Sequence, residues 1–169
     1  MAVEFSTENY DPDKMDGFDF PEVGQYHAEV SHVDEDGGKN GEMVVDFEIL
    51  AGTTANQEGK SQREYFSKTA AAEKRMLQFA CATGLTTVEE LKAKKEKGEN
   101  PVIDFNMARG RQLCIGIEAE TYEDKTRNKV GFRMWHVDSD KAKGIPLNKG
   151  KLAQQGDAGE DPFADSDVF

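Results

Sequence analysis

Thr69-Ala70-Ala71-Ala72-Glu73-Lys74-Arg75-Met76-Leu77-Gln78-Phe79-Ala80-Cys81-Ala82-Thr83 is the stretch on which the fold turns. Ala72, Met76, Phe79, Ala80 and Thr83 recur at helical spacing, and Gly84 supplies a C-terminal stop. On both sides of it the apolar period is two. Upstream, Gly24 to Val33 alternates Tyr26, Ala28 and Val30 against His27, Glu29 and Ser31, the pattern of a half-buried strand. The turn Gly37-Gly38-Lys39-Asn40-Gly41 leads into Glu42 to Ala51, with Met43, Val45, Phe47 and Ile49 on one face and Asp46 and Glu48 on the other. A third short strand covers Gln62 to Ser67, with Arg63 and Tyr65 opposite Phe66.

Downstream of the helix, Thr87-Val88-Glu89-Glu90 reads as a capping box that opens a second short helix, which fades towards Gly98. Alternation returns after Pro101. Leu113, Ile115, Ile117 and Ala119 face one way, and Gln112, Glu118, Glu120 and Tyr122 the other. A loop over Glu123–Asn128 should then lead to a last strand with Val130, Phe132 and Met134 inward and Arg133 and Trp135 outward. Three strands, a helix and two strands predict a mainly β protein with one or two helices. Its architecture should be a five-stranded OB-fold barrel in the order β-β-β-α-β-β. A β-sandwich would show more strands and no central helix. Three segments follow: an acidic arm over 1–20, with Phe18 and Phe20 as docking points; the barrel domain over 21–143; and a disordered acidic tail over 144–169.

The net charge of −12 argues against a nucleic-acid partner until its distribution is read. Residues 1–22 hold seven acids and one base, and residues 157–169 hold five acids and none. The remainder is nearly neutral, and 109–151 carries ten bases against six acids. The acidity lies in the ends. No apolar run approaches membrane-spanning length, and Met1 to Phe5 lack the basic-then-apolar signature of a signal peptide, so the expected compartment is the cytoplasm. Cys81 and Cys114 sit in apolar surroundings and are expected as buried free thiols.

The final hairpin is where function is expected. Unbroken alternation would project Tyr122 and Trp135 from one side of the sheet with Arg133 beside them, and Arg63 and Tyr65 could extend that side. Exposed rings stack on bases whatever their sequence, because every base has a π-face. Around them Arg109, Arg111, Lys125, Arg127 and Lys129 lie where long basic side chains can follow a phosphate backbone. The plainer alternative is that such rings pack under a loop and such lysines are merely solvated.

The tail weighs on that choice. Asp157 to Phe169 cannot build a core, carries Asp161, Pro162, Phe163, Asp165 and Asp167, and ends on Val168 and Phe169 with a free carboxylate. It can compete for a basic groove or plug a basic-rimmed apolar pocket on a partner. This tip resembles the C-terminal tips of bacterial and phage single-stranded DNA-binding proteins, although it lacks a proline before its last residue. The body resembles the phage family catalogued as domain of unknown function 669. The residues that carry the likeness are Pro21 to Tyr26, Gly41 to Gly52, Arg109-Gly110-Arg111-Gln112-Leu113, Thr121-Tyr122 and Asn128-Lys129-Val130. The resemblance implies an OB-type, sequence-independent binder of single-stranded DNA in phage replication or recombination. It also implies that the tail recruits replication or recombination proteins.

Catalysis is not expected. His27, His32 and His136 are the only histidines, no zinc spacing or phosphate-cradling glycine loop occurs, and Asp46 with Glu48 reads as a solvated strand face. Neither a cofactor nor a metal is called for. The competing class is a protein-interaction adaptor or acidic DNA mimic without nucleic-acid affinity, for which the overall charge is the best support. A homo-oligomer fits either class.

Overall fold

The computed structural model describes residues 2–8 and 20–152. Five strands form one antiparallel sheet: β1 (Gly24–Asp34), β2 (Met43–Gly52), β3 (Ser61–Phe66), β4 (Gln112–Tyr122) and β5 (Lys125–Trp135). Their order in the sheet is β3-β2-β1-β4-β5, an OB-like open sheet. Between β3 and β4 lie α1 (Glu73–Ala82) and α2 (Val88–Glu96). The expected helix over 69–83 begins instead with a 3-10 turn at Ala70–Ala72. At α2, Thr87 caps as its sequence requires, its hydroxyl accepting from the Glu90 amide at 3.1 Å.

Alternation places the core. Tyr26, Ala28, Val30, Met43, Val45, Phe47, Ile49, Leu113, Ile115 and Ile117 all turn to one side and are buried. Into this side α1 drives Phe79, whose ring sits 5.9 Å from Phe47, 5.3 Å from Phe66 and 6.1 Å from Phe105. One aromatic thus ties three segments together, which is what fixes the helix over the sheet.

The edge strands β3 and β5 run the same way, and among the described residues no backbone ladder joins them. Side chains bridge the seam. Glu64 accepts from the Val130 amide at 3.0 Å, and Gln62 donates to the Asn128 carbonyl at 3.4 Å. Arg75 reaches across from α1, donating to the Val130 carbonyl at 3.0 Å, pairing with Glu64 at 3.5 Å and lying 4.6 Å from the Phe66 ring centre.

Three expectations need correction. The stretch read as a loop over 123–128 is mostly strand: only Glu123 and Asp124 turn, both at positive φ (49° and 65°), as a tight hairpin turn requires. The Glu123-Asp124 turn lacks the Asn-Gly signal of such turns, and the cross-strand pairs Glu118–Lys129 and Glu120–Arg127 are what extend the ladder. Phe132, placed inward by parity, is 67% exposed. Ile115 pairs with Met134 and Ile117 with Val130, so residues 131–133 all lie opposite Gly116, and this bulge ejects the ring. Finally, the packed body does not end at 143. Ile145 is buried, and Leu147 and Leu152 pack on the outer side of the sheet over Cys114, beside Trp135. A few well-spaced aliphatics in a polar stretch suffice once an apolar surface receives them.

That strap also buries His27, whose alternation pointed it outward. Its Nδ1 accepts from the Asn148 amide at 3.0 Å, and its Nε2 lies 2.7 Å from Gln112 Oε1. Gln112 in turn donates to the Lys151 carbonyl at 2.7 Å. Both cysteines are free, and burial pushes the Cys114 thiol up to about 11.

Candidate nucleic-acid interface

Beyond Ile117, among the described residues, β4 pairs with β5 alone, so Glu118 to Lys129 forms a two-stranded ribbon, tied at its base where Asn128 meets Gln62 and Pro21. Direct pairing sets its faces. Glu118, Glu120 and Tyr122 share one face with Lys129, Arg127 and Lys125. Tyr122, 73% exposed, stands at the tip across from Lys125, which makes no ion pair among the described residues. Arg127 and Lys129 are less free. Both hold the Glu120 carboxylate, each at 3.2 Å, and hydrogen bonds from Lys129 and then Arg127 keep that carboxyl below its ordinary value.

The other expected cations divide sharply. Arg63, on the outer side of β3 near Tyr65, makes a two-pronged contact with Asp46 at 2.8 and 3.0 Å, which raises the guanidinium pKa further. Arg109 donates to the Val33 carbonyl at 3.2 Å. Arg111 donates to Met107, Thr83 and Gly84 carbonyls at 3.2, 3.2 and 3.3 Å. Gly84 ends α1 in the left-handed region at φ 79°, so Arg111 satisfies carbonyls that the helix leaves without partners. Arg109 and Arg111 therefore spend donors on the fold, Arg111 on three carbonyls and the exposed Arg109 on one.

Arg133 is different. It is exposed, and among the described residues it has neither hydrogen bond nor ion pair. Together with Trp135 and Gln25 it lines two adjoining hollows along β5. The larger, about 1150 Å³, runs past Gln78, Cys81, Thr86, His136 and Lys141. The smaller, about 380 Å³, is floored by Gly24, Gly116 and Gly131. The shared residues make one trough of the two, with glycines under one half and the C-terminal end of α1 beside the other. Trp135 is half-buried, its ring supported by the strap residues, with the rest facing the trough. Arg133, Lys141 and His136 line this trough with polar groups, and the Glu118 carboxylate over Gly131 places a negative charge in its smaller half.

The structure thus brings Arg133 and Trp135 together and sets Tyr122 with Lys125 at the ribbon tip. Tyr65 and Arg63 lie on β3 and line neither hollow. Sequence reasoning missed Gln25, Lys141 and the exposure of Phe132. The clue to the last was Gly131, since a glycine inside a strand marks a bulge. The tail residues Asp161, Pro162, Phe163, Asp165, Asp167, Val168 and Phe169 lie outside the described residues, as does Phe18. Among the described residues no group of three or more His, Cys, Asp or Glu gathers as a metal site, and no helix is long and apolar enough to cross a membrane. No protein-family model matches the chain, and no curated protein matches it.

Proposed function

We propose that this chain binds single-stranded DNA without sequence preference, as a phage-type replication or recombination protein whose acidic tail recruits partners. The observation that carries the reading is the trough in which an unpaired arginine, Arg133, and a part-exposed tryptophan, Trp135, meet. A ring that accepts a base beside a cation that accepts a phosphate is the minimal unit of sequence-tolerant single-strand binding. Tyr122 and Lys125 repeat the unit at the ribbon tip.

Titrating oligo-dT at low salt should quench the single tryptophan, and Arg133→Ala should weaken binding about fivefold to tenfold, a phosphate contact's worth. The same variant should flatten the salt dependence by about 0.7 in its logarithmic slope. An absence of quenching and of any mobility shift, with or without the tail, would sink the proposal. The second reading, a protein-interaction module or DNA mimic, draws on a specific fact: Arg63, Arg127 and Lys129 are already occupied by the chain's own carboxylates. It predicts tight partner binding and no oligonucleotide affinity.

A further inference from the structure

Phe132 is an aromatic ring that the strand pattern assigns to the core and the structure puts in solvent, 67% exposed, with no ring contact among the described residues. Its exposure has a local cause. Val130 and Met134 on either side are buried against Ile117 and Ile115, so the strand is anchored above and below. The residues between them bulge out opposite the single Gly116. A bulge is a device for re-aiming a side chain, and it costs ladder hydrogen bonds, so its presence in an otherwise regular hairpin asks for a purpose. The next residue in the chain is Arg133, the unpaired guanidinium of the trough.

We infer that the bulge at 131–133 is a second base-binding element, in which Phe132 stacks on an unpaired base while Arg133 holds a phosphate of the same strand. The inference rests on the single-strand reading above and adds a residue and a subsite to it. The occupant follows from the neighbour. A bare apolar partner would leave Arg133 without a counter-charge, whereas an unpaired nucleotide offers a π-face and a phosphate together. Phe132 and Arg133 are consecutive in the bulge, so a strand crossing the β5 edge meets the ring and the guanidinium in succession.

The test uses the full chain with Phe132→Ala and Phe132→Tyr, read by thermal unfolding, sedimentation and oligo-dT affinity. Phe132→Ala should leave the melting temperature within a degree or two, because the ring is exposed. It should lower affinity about tenfold while leaving the salt slope unchanged, since a stacking loss carries no counterion. Phe132→Tyr should restore binding. Wild-type affinity in Phe132→Ala would overturn the inference while leaving the single-strand reading intact. A collapse in stability, or the dissociation of an oligomer, would overturn it in favour of a packing role or of a second copy as the occupant. If the wild-type chain binds no oligo-dT, it is the single-strand reading that has failed, and the stacking role falls with it.

Discussion

The two sides of β5 are furnished alike and behave oppositely. At the seam with β3, Arg75 lies over the Phe66 ring, pairs with Glu64 and donates to Val130. In the trough, Arg133 stands beside Trp135 with nothing to hold among the described residues. Both regions combine arginine with an aromatic, so composition does not separate them. What separates them is satisfaction. A guanidinium whose donors are spent on carbonyls and a carboxylate is part of the fold, and one whose donors are unspent is available to a ligand.

The largest effect should come from breaking the satisfied side. Arg75→Ala removes the cation from a pair whose side chains are only 17% and 14% exposed, and strands Glu64 between two strands that no ladder joins. The expected loss is about 3 kcal/mol, in the range for a buried pair deprived of one partner. Chemical denaturation measures it. Adding Glu64→Gln should recover part of the loss, because the stranded charge is then gone. If Arg75→Ala unfolds like the wild type, the seam is held by something other than this bolt.

A middle-sized effect concerns the strap behind Trp135. His27 accepts at Nδ1 from the Asn148 amide, and burial pushes its pKa below 6.5, with the Gln112 contact opposing the shift only in part. The unfolded chain therefore takes up a proton near pH 6.5 that the folded chain resists. Stability is fully present above that pH and is lost as the pH falls through it towards the lower folded value. A proton on Nδ1 would also face the Asn148 N–H, so the strap should loosen with it. Thermal unfolding across this window should show the loss, and His27→Gln should flatten the step while lowering stability throughout. A step of equal size in that variant would assign it to another group.

Much of this was legible in the sequence, for reasons that also explain the remainder. Period-two runs and the helical run at Thr69–Thr83 are local signals, and they located the five strands, the core side of β1, β2 and β4, and the helix between β3 and β4. Phe132 and the Glu123–Asp124 turn were hidden because a bulge and a tight turn without glycine break parity at a single point. The strap was hidden because its ordering depends on Cys114 and Trp135, which are distant in sequence. Among the candidate cations, residue type was readable and its state was not. Nothing in the chain says that Arg111 would meet the Thr83 and Gly84 carbonyls or Arg63 the Asp46 carboxylate. Hydrogen-bond partners that belong to the folded state cannot be read before it.

The smallest predicted effect runs the comparison in reverse, by converting satisfied cations into unsatisfied ones. Glu120 holds Arg127 and Lys129 on the exposed ribbon, one residue pair from Tyr122 and Lys125. Exposed pairs of this kind are screened by solvent and contribute little, so Glu120→Gln should leave stability nearly unchanged. It should nonetheless release two cations beside an exposed ring and remove one charge that repels phosphate. Oligo-dT affinity should rise about threefold to fivefold at low salt, with a steeper salt dependence, and the gain should fade as salt screens the added contacts. A protein-interaction module predicts no such gain. If affinity falls instead, the ribbon needs Glu120 to hold Arg127 and Lys129 in place, and the ion pairs there organise the surface in the way that Arg75 organises the seam.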